Sequence, residues 1–265
     1  MPQWDSFVTS NFATIKGGMF VGCFVLAALV QRLVPHQNKT GDALRNWKVN
    51  VPLGLLNTAL FALVCGSCVC VLAKQTQMER TGLFHFFGVG YLLQVVLSVV
   101  LLDFVAYLFH RIYHQVPLFW RFHSPHHSDV VFETSTAIRF HPGELLLSLG
   151  VRIAVVWALG IPVLALLVFE GVYIFFNLLE HSDFNLPPKW DGRLSRFFIT
   201  PSLHRLHHST DRKELNSNFG TILSVWDRLL GTYRGTESER KISVGLGGPK
   251  LSLMETLGLP FRMFT

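Results

Sequence analysis

Nine of the twelve histidines stand in a pattern: His110-x-x-x-His114, His123-x-x-His126-His127, a lone His181, and His204-x-x-His207-His208. On a helix, positions i, i+3 and i+4 share one face, so each box can offer two or three imidazoles to a single point. A second His-x-x-His-His box makes coincidence a poor explanation. Nine imidazoles are too many for one four- to six-coordinate ion and suit two ions. Imidazole accepts iron, zinc, copper or nickel, and composition alone does not choose among them. A His-Glu-x-x-His protease is excluded at the first box, because Arg111 occupies the place of the general-base Glu.

The local sequence around each box is chemically sensible. Asp103 and Tyr107 lie on the stripe of His110, at i−7 and i−3. Inside a membrane Asp103 needs a partner, either an imidazole that it orients or a structural hydrogen bond to a neighbouring helix. Thr200-Pro201 reads as an N-cap followed by Pro at the first helical position, which puts His204, His207 and His208 on one short helix. In the second box Pro125 makes Ser124 the expected N-cap, with His123 reaching in from just outside the helix. Asn177 and Tyr173 precede His181 by one and two turns on the same face.

What must position these boxes is membrane-embedded. The chain has 265 residues, 50% hydrophobic and only 15% charged, where a soluble domain carries roughly 25%. Val51 to Ala73 and Thr81 to Leu102 are free of charge, and each is long enough to cross a bilayer as a helix. A first span is expected at 12–34, with Lys16 snorkelling. A cleaved signal peptide fits poorly, for want of a basic leader and a small-residue cleavage site. Leu145 to Leu179 is too long for one straight span and is broken at Gly160-Ile161-Pro162, as a helical hairpin would be. Arg152 and Glu170 flank that break symmetrically. They either pair across the hairpin or separate, with Arg152 snorkelling and Glu170 facing water.

Loop 35–50 holds Lys39, Arg45 and Lys48, with Arg32 just before it, and the second loop, 74–80, has only Lys74 and Arg80. The first loop is therefore expected in the cytoplasm, along with the tail, where 12 of the 23 Lys+Arg follow His181. Two crossings separate His114 from His181, so all nine histidines converge on the cytoplasmic membrane surface. The expected fold is an all-α integral membrane bundle of three spans plus a helical hairpin, with a cytoplasmic, histidine-rich helical cap. Cys23, Cys65, Cys68 and Cys70 sit in apolar runs and suggest neither disulfides nor a thiolate site. His36 and His85 look incidental. No basic stripe supports nucleic-acid binding. A dimetal centre open to the bilayer suits oxygen chemistry on a membrane-dissolved substrate, which needs a redox metal, iron first. Zinc could replace iron in recombinant protein. The rival readings are a metal transporter or metal-binding membrane protein using the same histidines, and a structural protein with a zinc-stapled cap.

The three boxes with Asp103 before the first, the stretch Thr136-Ala137-Ile138-Arg139-Phe140-His141-Pro142-Gly143-Glu144, and Asn218-Phe219-Gly220 followed by Trp226 to Tyr233 resemble the fatty acid hydroxylase/sterol desaturase superfamily. The resemblance covers roughly 95–235. It divides the chain into an N-terminal transmembrane region (1–94), a catalytic region (95–235) and a tail (236–265). It implies a di-iron enzyme that uses O2 and two electrons to hydroxylate or desaturate a lipid C–H bond, with the box histidines as ligands. Some branches carry a histidine where this chain has Asn177, which would then bind through water or leave a position open. Arg139, His141 and Glu144 are expected to brace the site from below. Asp227 is expected either to support a ligand or to pair with Arg228 or Arg205. No Gly-x-Gly-x-x-Gly fingerprint is present, so electrons are expected from a separate protein, of the cytochrome b5 or ferredoxin/reductase kind, docking on the basic tail. The bundle and its cap are expected to use up the 265 residues, without a fused electron-transfer domain.

Overall fold

Among the described residues, four helices are long and apolar enough to cross a bilayer: Ser6–Leu33, Tyr91–Gln115, Pro142–Leu159 and Val163–Glu180. Leu44–Leu63 and Cys68–Phe86 pass the same test only as a pair, inclined at 42° to each other. The computed structural model describes residues 3–37, 40–64, 68–235, 237 and 239–262. Its helices are α1 (Gln3–Leu33), α2 (Thr40–Val64), α3 (Cys68–Glu79), α4 (Leu83–Phe86), α5 (Tyr91–Gln115), α6 (Pro117–His127), α7 (Pro142–Leu159), α8 (Val163–Glu180), α9 (Pro188–Leu194), α10 (Pro201–His207), α11 (Arg212–Leu215), α12 (Val225–Leu229) and α13 (Leu253–Gly258). Short 3-10 turns cover Thr134–Ile138 and Leu259–Phe261, and among the described residues there is no strand, only two isolated bridges. The protein is an all-α, multi-pass membrane protein, as its hydropathy pattern predicts.

Two expected spans are redrawn. Val51 to Ala73 is divided between α2 and α3, and its middle, with Cys65, lies outside the described residues; Cys23, Cys68 and Cys70 are free thiols. The third span starts at Tyr91 rather than Thr81 and runs to Gln115, because α4 ends at Phe86 and Gly88 turns the chain with a positive φ of 62°. The hairpin breaks where Pro162 requires it. Gly160 caps α7 in the left-handed conformation, φ 72°. Gly82, at φ 93°, packs so closely on this turn that a Cβ there would collide with the Gly160 backbone.

Helix α8 is the axis of the bundle, packed against α1 on one side and α5 on the other. Phe169, Leu166, Val163, Ile161 and Val156 are buried in a core shared with Leu102 and Ala73. Within that core Glu170 accepts from Lys16 Nζ at 2.8 Å and is also paired with Arg152. Lys16 therefore does not simply snorkel, and the hairpin charges are paired. The outer faces carry exposed Leu63, Leu92 and Trp157, as a lipid-facing surface should. The cap has the opposite character. Its interior is crowded with buried polar groups, among them Asp129, Glu133, Ser135, Arg139, Asp183, Arg205 and Asp227.

Candidate metal centre

The nine box histidines meet at the end of the bundle in two groups. His110, His114, His123, His127 and His207 form one; His126, His181, His204 and His208 form the other; within each, the nitrogen atoms lie within 4.8 Å of one another. The two His-x-x-His-His boxes divide reciprocally. From α6, the i, i+4 pair His123 and His127 joins the five, and His126 points to the four. From α10 and its C-cap, the pair His204 and His208 joins the four, and His207 points to the five. His110 and His114 come from the last turns of α5, and His181 caps α8.

Eight of the nine rings, all but His208, present Nε2 to another ring's Nε2. Nε2–Nε2 separations are 3.2 Å for His114–His127, 3.0 Å for His123–His127, 3.0 Å for His110–His207, 3.1 Å for His126–His181 and 3.0 Å for His181–His204. The opposite nitrogens carry the protons where partners fix the tautomer. His110 Nδ1 donates to the Phe219 carbonyl (2.8 Å), His207 Nδ1 to that of Ser217 (2.7 Å) and His181 Nδ1 to that of Asn177 (2.7 Å). His123 Nδ1 donates to Glu144 Oε1 at 2.8 Å. Nε2 lone pairs facing each other at these distances cannot all be hydrogen-bonded, and they repel unless a cation lies among them. Nitrogens bound to one ion at about 2.1 Å stand roughly 3.0–3.4 Å apart, so the donor set fits a metal. Both ring nitrogens of the buried His208 lack a protein partner, which fits the same reading.

Burial holds His123 and His181 down to about 3, and burial reinforced by neighbouring imidazoles holds His126, His127, His204, His207 and His208 well below the ordinary histidine value. All are therefore neutral near pH 7, the state that binds metals. Aromatic faces restrict the rings further: His126 stacks on Phe140 (centroids 4.6 Å apart), and His181 on Phe132 (5.6 Å).

Several supporting residues differ from expectation. Ser124 is not an N-cap, and His123 lies inside α6, which passes through Pro125. The carbonyl that Pro125 cannot satisfy, that of Arg121, accepts from Ser124 Oγ at 3.1 Å. Asp103 orients no imidazole. It accepts from Trp226 Nε1 at 2.7 Å, while Tyr107 Oη meets Thr232 Oγ1 at 2.9 Å, so both fasten the cap to α5. The imidazole-orienting carboxylate is Glu144. His141 caps α7, its Nδ1 accepting from Gly143 N–H, and its Nε2 lies 3.2 Å from the Leu257 carbonyl. Arg139 braces the second box: it donates to the Pro125 carbonyl (2.8 Å), Ser128 Oγ (3.1 Å), Asn50 Oδ1 (2.8 Å) and Thr256 Oγ1 (2.9 Å).

Asp227 forms a hydrogen bond with neither Arg228 nor Arg205. Its carboxylate accepts from the Phe219 and Gly220 N–H groups (2.8 and 2.9 Å) and from Thr232 Oγ1 (2.6 Å), fixing the peptide whose carbonyl holds His110. Asn177 donates Nδ2 to the Ala137 carbonyl at 3.1 Å, and its backbone, not its side chain, meets His181. Two supports escaped the sequence reading. Asn46 and Asn50 both donate to Asp129 Oδ2 (2.7 and 2.9 Å), behind the second box. Glu180 is buried beside His181 and His204. Its position next to a candidate ligand at the end of an apolar helix was the available signal.

A sequence model of the fatty acid hydroxylase family matches residues 95–232, which spans the whole site from before Asp103 to Thr232. The chain belongs to the fatty acid hydroxylase family. Among curated relatives, this family member is 29% identical over 236 residues to the ornithine lipid hydroxylase of Rhizobium tropici, covering 87% of the present chain and 70% of that protein. It is 34% identical over 169 residues to human alkylglycerol monooxygenase, covering 60% of this chain and 34% of the relative. A very-long-chain aldehyde decarbonylase of rice is 29% identical over 160 residues, which cover 57% of this chain and 24% of that protein. The fatty acid hydroxylase family member thus spans only about a third or less of the latter two. No solved structure matches it significantly. These relatives are named for activities on lipids: a lipid hydroxylase, an alkylglycerol monooxygenase and a very-long-chain aldehyde decarbonylase.

Proposed function

We propose that the protein is an iron-dependent membrane monooxygenase that inserts an oxygen atom into a C–H bond of a bilayer lipid, its two ions held by the groups of five and four histidines. The carrying observation is the pair of inward-facing Nε2 sets at the end of the apolar bundle. When bound, two irons supply the activation of O2 with two electrons from outside. The protein's own residues hold the ions and keep the imidazoles neutral by burial. The α5 and α8 helices bring lipid-soluble substrate to the membrane end where the boxes stand. Hydroxylation is favoured over desaturation by the activities for which two of the relatives are named, hydroxylase and monooxygenase. The loop charges favour a cytoplasmic site, of a bacterial inner membrane or endoplasmic reticulum, reached by a separate electron-donor protein. A transporter would carry its ligands near mid-bilayer on several helices, and here the histidines gather at helix ends on one side.

The test compares lipids extracted from aerated cells expressing the wild type or His207→Ala, with 18O2 as tracer. A lipid product carrying 18O in the wild type alone is expected. Identical lipid profiles would count against action on cellular lipids. Metal analysis of purified protein should give about two ions per chain, and one tightly bound ion would refute the dimetal centre.

A further inference from the structure

The five-histidine group has an orienting carboxylate, Glu144 on His123, and the four-histidine group has no such hydrogen bond. Near it stands Glu180, 2% exposed, with Oε2 3.8 Å from His204 Nδ1 and Oε1 4.0 Å from His181 Nδ1. Glu180 Oε2 and His204 Nδ1 are both buried and both without a hydrogen-bond partner. His181 Nδ1 is already engaged with the Asn177 carbonyl, so His204 is the open donor. A shift of under about 1 Å brings this pair into hydrogen-bonding range.

Glu180 is the last residue of α8, where the helix dipole disfavours an anion. Burial there without a compensating cation is costly. Two divalent ions among nine neutral imidazoles bring four uncompensated positive charges. Among the described residues, the carboxylates within 4.0 Å of a box histidine nitrogen are Glu144 and Glu180, one beside each group.

We propose that Glu180 is the positioning carboxylate of the four-histidine group, accepting from His204 Nδ1–H and turning its Nε2 toward the ion, as Glu144 does for His123. The proposal rests on the two-metal reading above. Its oxygens are not among the converging atoms, so it acts through His204 and is not itself a ligand.

The experiment loads the full chain in detergent with 57Fe(II) and records Mössbauer spectra together with chelator-competition affinities. The wild type should bind two irons and show two inequivalent sites. Glu180→Gln should perturb one site and weaken it about 10–100-fold, and Glu144→Gln should perturb the other. Glu180→Asp, which keeps the charge, should restore part of the loss, and it carries the same readout where Glu180→Gln does not fold. Unchanged spectra and affinities in both Glu180 variants would overturn the proposal and leave the two-metal reading standing. A wild type that binds fewer than two irons would overturn that reading itself.

Discussion

Asp103 accepts a hydrogen bond of 2.7 Å from the indole Nε1 of Trp226, joining the middle of α5 to α12 across 123 residues of chain. Around this contact Phe104 packs on the Trp226 ring, with centroids 4.9 Å apart, and Tyr107 reaches Thr232. The cap is thereby tied to the helix that carries the first histidine box.

Trp226→Phe keeps the ring packing and removes the indole donor, leaving the buried carboxylate with the backbone of Ile222 and Leu223 alone. It should destabilise the protein by about 1–3 kcal/mol. Thermal unfolding in detergent reads this out, and an unchanged midpoint would show that Asp103 finds another donor.

Asp227→Asn places an amide where the carboxylate now accepts from two backbone N–H groups. One of the Phe219 and Gly220 N–H groups then faces an NH2, and the Phe219 carbonyl loses its hold on His110. Metal affinity of the five-histidine group should fall about 10–100-fold, with the four-histidine group little changed. Chelator competition resolves the two, and equal losses at both would mean that Asp227 serves the whole cap.

Acid should unload the protein in a defined window. His123 and His181 sit near 3 when folded, and in an unfolded chain they titrate near about 6.5. Below about 6.5 the unfolded chain binds more protons than the folded one, so stability falls as pH falls, and the loss continues toward about 3. Above about 6.5 these rings add no slope. The melting temperature should therefore be level from about pH 8 to 7 and decline steadily from about 6.5 to 4. A level profile through pH 5 would contradict the buried, neutral imidazoles.

Glu170 stands between Lys16 and Arg152 in the middle of the bundle. Removing it leaves two cations without their shared counter-charge. Glu170→Ala should cost about 3–5 kcal/mol, and a double-mutant cycle with Arg152→Ala should show a coupling above about 1 kcal/mol. Zero coupling would return Arg152 to the membrane interface on its own.

The histidine boxes, the hairpin and the helical class were legible because each is a local signal: spacing, a Gly-Ile-Pro break, a run without charge. The third span was misplaced by ten residues because Gly88 and Gly90 are as free of charge as their neighbours, and hydropathy does not record a positive φ. Ser124 was misread because Pro125 ordinarily stops a helix, and the Ser124 hydroxyl that relieves Arg121 appears only in three dimensions. Carboxylate roles were the least legible. Asp103 shares a helix stripe with His110, and Glu144 follows His123 by 21 residues; tertiary packing, not spacing, gave the imidazole to Glu144. The assignment of each histidine to a group required α5, α6, α8 and α10 to bring their ends together, which no single box encodes.

Arg139 links the second box to Thr256, nearly fifty residues beyond the last box histidine. During synthesis every imidazole is therefore present before the guanidinium that braces them has found its final acceptor. The Pro125, Ser128 and Asn50 acceptors precede Arg139 in the chain, so only the Thr256 contact waits on α13.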